Sequence, residues 1–157
     1  MPQGALGQLD LFADIDRSDL RLLAEMARFV SIRPGKQVFA QGDPAIHLYI
    51  LVEGQVAIRY RPFDGDPLTV STIAPGGVFG WSAFLARMTY TSSAIGEQAG
   101  RALAVAGIDF RALCEEHPRT GILIVERLAD VIAGRLTGTR QAILDMLNRG
   151  VAALPAA

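Results

Sequence analysis

Apolar positions change their spacing twice along the chain, and these changes divide it into three parts. Between residues 9 and 29 apolar residues recur at helical spacing, which predicts a helix through DLRLLAEMARFV with Ser18 as its amino-terminal cap. From about residue 109 the helical spacing returns and continues to about 148. One face of the first predicted helix carries Leu20, Leu23, Met26 and Ala27.

The middle part, residues 30–108, contains short apolar runs separated by glycine and proline. The runs QVFA, HLYILV, QVAIRYR, LTVSTI and RALAVAGI predict strands. The intervening segments RPGK, QGDPA, VEGQ, FDGDP and APGG predict turns, because glycine supplies a positive φ and proline fixes φ. Short strands at this spacing are typical of an antiparallel sandwich or barrel.

The C-terminal part predicts a short helix, IDFRALCEEHP, that ends at Pro118, followed by a long helix or a pair of helices over 119–150. Gly134 and Gly138 each weaken the middle of that segment by about 1 kcal/mol relative to alanine. Its apolar stripe can pack on the strands, pair with a second copy to form a homodimer, or do both. The stripe consists of Ile122, Val125, Leu128, Ala129, Ile132, Leu136, Ile143, Leu144 and Leu147.

Length and composition favour one domain over residues 1–157, since half of the residues are hydrophobic and can fill a single core. The 15 basic and 16 acidic residues give no general attraction to nucleic acid or to an anionic membrane. No apolar stretch approaches the ~18–20 residues of a membrane span, and the first twenty residues do not resemble a secretory signal. We therefore expect a cytoplasmic protein with no membrane partner, and the unpaired Cys114 fits a reducing compartment.

Four segments carry a resemblance to a known family: LFADIDRSDLRLLAE, RPGKQVFAQGDPA, LYILVEGQVAI with a turn glycine at Gly54, and IAPGGVFGWSAFL. Together they resemble the cyclic-nucleotide-binding domain family, the sensor half of catabolite-activator-type bacterial regulators, over about residues 9–140. The resemblance implies a mainly β fold with flanking helices: an antiparallel, jelly-roll-like β-roll, an N-terminal helix and a long C-terminal helix. In these terms the N-terminal helical part is about 9–29, the β-roll about 30–108 and the C-terminal helices about 109–148.

In that family a phosphate-binding cassette opens with a glycine, followed directly by a glutamate that binds the ribose and, eleven residues beyond the glycine, by an arginine that pairs with the phosphate. Aligned without a gap, Gly80 is the glycine, Trp81 stands at the glutamate position and Thr91 at the arginine position. Losing two charged hydrogen-bond partners removes about 3–6 kcal/mol, or about 10²–10⁴ in affinity. Tight binding of cyclic AMP or cyclic GMP is therefore not expected.

The cassette segment nevertheless keeps features that suit a small ligand. The backbone amides of Ser82 and Ala83 would lie at a helix amino terminus, where partial positive charge gathers, and three hydroxyls follow at 91–93. The ligand would be a cyclic nucleotide or another small anionic or ring-bearing molecule. The candidate ligand-binding residues are Gly80, Trp81, Ser82, Ala83, Thr91, Ser92 and Ser93.

Two side chains in this segment leave alternatives open. Trp81 presents a flat apolar ring that either stacks on a ring of the ligand or fills the ribose space and shuts the pocket. Arg87 is the one charged residue of GVFGWSAFLARMTYTSSA, and it either turns toward the pocket or lies in solvent.

Enzymatic and DNA-binding functions find little support in the sequence. A cupin-type metal site needs a cluster of histidines with an acid, whereas His47 and His117 lie on different predicted elements, so we expect no metal site and no catalytic residues. Only about ten residues follow Leu147, too few for a helix-turn-helix, so we expect no direct DNA binding. Two functions remain: a ligand-sensing regulatory module, or a ligand-free dimerisation or docking scaffold with a vestigial pocket.

Overall fold

The computed structural model describes residues 2–63, 65–85 and 88–153, with side chains of the last helix described up to Gly134 and at four later positions. Among these residues the expected mainly β fold with flanking helices is confirmed. The helices are α1 (Pro2–Gly7), α2 (Arg17–Met26), α3 (Gly107–Glu116) and α4 (Pro118–Ala153), with 3-10 turns at Asp10–Phe12 and Trp81–Ala83. The strands are β1 (Arg28–Ile32), β2 (Gln37–Phe39), β3 (His47–Tyr60), β4 (Leu68–Ile73), β5 (Val78–Phe79) and β6 (Ser93–Ala106).

Two long antiparallel strands, β3 and β6, form the centre of the sheet. Strands β1 and β2 pair with β6, and β4 and β5 pair with β3, so that every other strand borders one of these two. Side chains that alternate along β3 enter two different cores. Leu48 and Ile50 pack with the helices, whereas Tyr49 and Leu51 pack inside the roll. Because both faces are covered here, the run HLYILV is apolar without alternation.

The turn predicted at VEGQ is wrong, because Gly54 lies inside the continuous strand β3. Gly54 has a φ of 95°, and the pairing register with β6 shifts on both sides of Glu53. The two backbones approach closely at this crossing: a Cβ on Gly100 of β6 would lie 1.9 Å from the carbonyl oxygen of Glu53. Glycine therefore serves here as a bulge and a close-approach residue rather than as a chain reversal.

Three further boundaries differ from the sequence prediction. Helix α2 begins at Arg17 with Asp16 as its N-cap, so Ser18 lies inside the helix and does not cap it. The same helix ends at Met26 rather than at Val30, because RFVSI pairs with β6 as β1; the roll therefore begins before residue 30. Helix α1 was not predicted. Strand β6 is longer than RALAVAGI at its start, and Gly107 already belongs to α3.

Helix α4 begins at Pro118, separated from the end of α3 by His117 alone, and is one helix rather than a pair. Its predicted apolar stripe separates into two sides. Leu128, with Ile124, is buried against the core of its own chain, whereas Ile122 and Val125 are 60% and 47% exposed. The predicted stripe residues Leu136, Ile143 and Leu147 have side chains outside the described residues, and Leu144 is exposed. No described helix combines the length and apolar character needed to cross a bilayer.

A buried carboxylate joins α2 to the junction of α3 and α4. Asp19 is 6% exposed, and its Oδ2 accepts a hydrogen bond from the hydroxyl of the buried Thr120 at the start of α4. Its Oδ1 lies 3.1 Å from Nδ1 of His117, the residue between the two helices. A buried acceptor must be satisfied. The contacts of Asp19 with His117 and Thr120 therefore fix the position of the start of α4 relative to α2.

Replacing Asp19 by alanine should destabilise the fold, because Thr120 loses its acceptor and His117 its partner. We expect Asp19→Ala to lower the free energy of unfolding by about 1–3 kcal/mol, measured by urea denaturation followed by circular dichroism. Asp16→Ala is the matched control, since Asp16 caps the same helix without a side-chain hydrogen bond. Equal losses in the two variants would contradict a stabilising role for the Asp19 cluster.

Candidate ligand site at the Gly80 turn

The cassette segment starts with a single tight turn at the end of β5. Gly80 is left-handed, with φ 76° and ψ 24°, and the 3-10 turn Trp81–Ala83 follows it. A Cβ on Gly80 would lie 3.0 Å from the carbonyl oxygen of His47 and 3.1 Å from the ring of Tyr49, so both conformation and space require glycine. The glycine-led turn predicted from the sequence is present, but it spans only three residues.

Backbone donors at this turn are only partly free for a ligand. The amide of Ala83, one of the two expected to face an anion, donates to the carbonyl of Gly80 at 3.2 Å. The amide of Phe84 likewise donates to the carbonyl of Trp81 at 2.9 Å. The expectation that both the Ser82 and Ala83 amides serve an anion is therefore corrected: the turn itself uses the second of them.

A small, partly open cavity lies behind the turn, between β2, β3 and the segment 90–92. Its volume is about 30 Å³, room for about two water molecules. Sites for small organic ligands are about ten times larger or more, on the order of 300–1,000 Å³. In this conformation the cavity is therefore smaller than the usual site for a small organic ligand. The cavity is lined by Phe39, Ile58, Phe79, Gly80, Trp81, Ser82, Tyr90, Thr91 and Ser92.

The cavity is narrow because aromatic rings fill the roll next to it. Tyr90 stacks on Phe39 with ring centroids 3.7 Å apart, and Tyr49 stacks on Phe79 at 5.2 Å. The Tyr90 hydroxyl donates to the carbonyl of His47 at 2.6 Å and accepts from the amide of the same residue at 3.1 Å. Paired hydrogen bonds at the hydroxyl and stacking at the ring hold Tyr90 in the space that a ligand would need.

Trp81 contributes to two environments at once. It lines the cavity, and it also packs against the core between the sheet and the helices. Neither sequence alternative describes it fully, because the space is closed chiefly by Phe39 and Tyr90 rather than by the indole. No charge or motif in the sequence marks these two rings; only the alternation of QVF places Phe39 on the inner face.

The structure brings together some of the candidate residues and separates others. Five of the seven candidates line the cavity: Gly80, Trp81, Ser82, Thr91 and Ser92. Ala83 is not among the lining residues and is buried against α3, where a Cβ on Gly107 would lie 2.2 Å from its carbonyl oxygen.

Ser93 also lies outside this cavity, and Arg87 cannot be placed. The Ser93 hydroxyl accepts from the amide of Gln41 at 2.8 Å, and Ser93 lines a different groove, described below. Arg87, the other residue left open by the sequence, is outside the described residues.

The electrostatic character of the site is that of an apolar pocket. Burial raises the pKa of Tyr49 to about 12, with a further contribution from its neighbour Tyr90, because the phenolate is poorly solvated there. Burial lowers the pKa of His47, and the charge of Arg28 lowers it further. None of the described residues that line the cavity carries a charge.

Metal and catalytic clusters were also sought in the part of the chain that the structure describes. That part contains no group of three or more histidine, cysteine, aspartate or glutamate side chains placed to hold a metal ion. His117 contacts Asp19, while His47 lies beside Tyr49, with ring centroids 6.2 Å apart.

Comparison with known proteins identifies the family. The family defined by the cyclic nucleotide-binding domain matches residues 29–117. This chain therefore belongs to the cyclic nucleotide-binding domain family. A curated relative, the CRP-like cAMP-activated global transcriptional regulator of Mycobacterium tuberculosis, is 28% identical over 142 residues, which are 90% of this chain. The chain spans only 62% of the length of that regulator.

Solved structures of the same family share the fold. The catabolite activator protein of Thermus thermophilus is 27% identical with a TM-score of 0.69, covering 88% of this chain and 62% of that one. A cyclic nucleotide-binding-like protein from Brucella abortus is also 27% identical, with a TM-score of 0.59 over 73% of this chain and 97% of that one.

The buried phenol of Tyr49 predicts a loss of stability at high pH. A tyrosine in the unfolded chain ionises near pH ~10, and the folded value is about 12. The neutral phenol is favoured in the fold, so its stabilisation is complete below pH ~10 and is lost as the pH rises from there to about 12. Phenolate absorbance after a rapid pH jump should show a tyrosine that ionises in this late stage.

Two variants test this assignment. Tyr49→Phe should reduce the amplitude of the late ionisation stage and leave the contribution of Tyr90, whose pKa burial also raises, whereas the matched variant Tyr60→Phe, at a tyrosine that is 45% exposed, should retain the full amplitude. Persistence of the full amplitude in Tyr49→Phe would show that the ionisation belongs to another residue.

Proposed function

We propose that this chain is a regulatory module that receives a small ligand at the Gly80 turn and does not bind cyclic AMP or cyclic GMP tightly. The observation that carries the proposal is the turn itself. Gly80 keeps the left-handed conformation, and the residues after it line a cavity at the position where the family cassette lies. Trp81 and Thr91 occupy the positions of the two missing ionic partners.

A chain of close contacts connects this turn to the C-terminal helices. The carbonyl of Ala83 lies so close to Gly107, the first residue of α3, that no side chain fits between them. Phe84 packs edge-on against Phe110 of α3, with ring centroids 5.2 Å apart. Helix α3 in turn packs against α4. A displacement of the turn therefore has to be accommodated by α3, since packed interiors have little free volume.

The small volume of the cavity links entry of a ligand to movement of the turn. A ligand larger than about two water molecules enters only if Tyr90, Phe39 or the turn moves outward. Movement of the turn changes its packing on α3, and thus the position of α4. Occupancy would shift a pre-existing equilibrium between closed and open conformations, by no more than the difference in affinity of the ligand for the two.

Restoring the two charges should create cyclic-nucleotide binding. The double variant Trp81→Glu with Thr91→Arg supplies a carboxylate for the ribose and a guanidinium for the phosphate, and replacing the indole also enlarges the cavity. We expect the affinity for cyclic AMP to rise by about 10²–10⁴ over the parent chain, measured by isothermal titration calorimetry.

The matched control keeps the new side-chain sizes without their charges, as Trp81→Gln with Thr91→Met. This control should remain a weak binder. A folded Glu/Arg variant that binds no cyclic AMP would mean that the backbone of the turn cannot present a cassette.

A second candidate, the ligand-free dimerisation or docking scaffold, is favoured by one specific observation, the cavity volume of about 30 Å³. In a scaffold, Tyr90 and Phe39 fill the space permanently and the turn serves only to support α3. A thermal-shift screen with nucleotides, cyclic nucleotides and small acids distinguishes the two candidates, because a ligand that binds only the folded chain raises its melting temperature. No shift at millimolar concentrations would favour the scaffold.

Either function includes a homodimer through α4, and the exposed side of the helix supports it. Ile122, Val125, Ala129 and Ile132 follow each other at intervals of three, four and three residues, the spacing of a coiled-coil seam. Ile122 and Val125 are 60% and 47% exposed in the single chain. We propose that this seam pairs with the same seam of a second copy, in the cytoplasm, and that the chain itself neither catalyses a reaction nor contacts DNA.

Acidic side chains in the seam should dissociate the dimer. Ile122→Glu with Val125→Glu places like charges opposite each other at the proposed interface, so we expect a monomer where the parent chain is a dimer, as measured by sedimentation velocity. Asp130→Lys, an exposed change on α4 outside the seam, is the control and should remain dimeric. A double variant with an unchanged sedimentation coefficient would place the contact elsewhere.

A further inference from the structure

A second groove lies on the outer face of the sheet. Along β3, Ile58 points into the roll and lines the cassette cavity, so its neighbour Arg59 points to the opposite face. The groove there has a volume of about 450 Å³, within the range of sites for small organic molecules. It is lined by Gln37, Ala40, Gln41, Arg59, Arg61, Pro62, Phe63, Pro67, Ser93 and Ile95.

Two guanidinium groups share this groove without a carboxylate partner. Arg59 lies near the end of β3 and Arg61 directly follows the strand, and both residues line the groove. Among the residues that the structure describes, none of those lining the groove is acidic. Within the described ranges, no carboxylate or other ion-pair partner is found within 4.0 Å of either guanidinium.

One donor of this pair is buried and unsatisfied. Arg59 Nε is shielded from solvent and has no hydrogen-bond acceptor among the described residues. Such a donor is rare in folded proteins, and a water, an ion or a ligand oxygen would satisfy it. The other atom of this kind in the described part of the chain is Arg111 Nε, but Arg111 shares its groove with the carboxylates of Glu115 and Glu126.

The floor of the groove is held by hydrogen bonds between distant segments. The side-chain amide of Gln41 donates from Nε2 to the carbonyl of Arg61 at 3.1 Å, and its Oε1 accepts from the amide of Arg61 at 2.9 Å. The backbone amide of Gln41 donates to the Ser93 hydroxyl at 2.8 Å. These three bonds fix the backbone at Arg61 relative to β6, so the base of the second arginine is positioned before any ligand arrives.

We propose that this groove binds the phosphate of a small organic phosphate, separately from the site at the Gly80 turn. A carboxylate is satisfied by one guanidinium, whereas the three oxygens and two charges of a phosphomonoester match a pair of them. The groove also exceeds the size of a bare phosphate. Its remaining walls, Pro62, Pro67 and the fully exposed ring of Phe63, are apolar and suit the organic part.

Calorimetry and chemical-shift mapping with defined probes test the proposal on the intact chain. Adenosine 5′-monophosphate should bind, inorganic phosphate should bind more weakly, and adenosine should not bind. Shift changes in the backbone amides should cluster at 59–61 and 93 rather than at 80–83. Binding should weaken as salt concentration rises, because the attraction is ionic.

Variants then assign the binding to the two arginines. Arg59→Gln with Arg61→Gln should weaken binding of adenosine 5′-monophosphate by about tenfold or more, whereas the matched control Arg33→Gln, an exposed arginine elsewhere on the roll, should bind like the parent chain. If Arg59→Gln does not fold, the exposed Arg61→Gln alone should still weaken binding several-fold.

Four results would overturn the proposal. The first is unchanged affinity in the folded arginine variants, and the second is equal affinity for adenosine and for adenosine 5′-monophosphate. The third is equal affinity for succinate and for the monophosphate, and the fourth is no binding of either phosphate probe at millimolar concentration. Shift changes confined to the Gly80 turn would move the binding to the cassette and would likewise reject this groove.

Discussion

The burial of β3 on both faces is the constraint on which the rest of the structure depends. Side chains of one short run enter two cores, with Leu48 and Ile50 toward the helices and Tyr49 and Leu51 toward the inside of the roll. The Gly80 turn lies where these cores meet, since Phe79 before it belongs to the inner core and Trp81 after it packs on the helical side. A turn in this position cannot move without disturbing the packing of both cores.

That placement explains why the missing charges at Trp81 and Thr91 do not leave an empty pocket. The space is filled by stacked rings, and the hydroxyl of Tyr90 is satisfied by the backbone of His47. The inner site is therefore narrow, and its described lining is uncharged. The guanidinium groups of Arg59 and Arg61 lie on the outer face of the same sheet. In this chain, apolar packing and positive charge are separated by the thickness of one sheet.

The sequence predicted the order of elements well because apolar periodicity and the glycine–proline turns report local structure. It failed where glycine serves a distant contact: Gly54 and Gly100 permit two backbones to cross, and nothing local distinguishes this from a chain reversal. It also placed the Gly80 turn correctly. The stacking of Phe39 and Tyr90 at the site was missed, because those residues are far apart in sequence and meet through the pairing of β2 with β6 and the backbone hydrogen bonds between Tyr90 and residues 42–43.

The cluster of Asp19, His117 and Thr120 has a mechanical consequence for α4. This cluster holds the start of the helix to the body of the protein. The first third of the helix is held further by the buried Ile124 and Leu128 and by the hydrogen bond from Arg127 Nη1 to the carbonyl of Leu11. The helix also contacts β4, and its stretch from 129 to 153 is about 37 Å long at 1.5 Å per residue. A tilt of about 10° at its pivot would carry the tip about 6 Å, an amplification that follows from the rise of the α-helix alone.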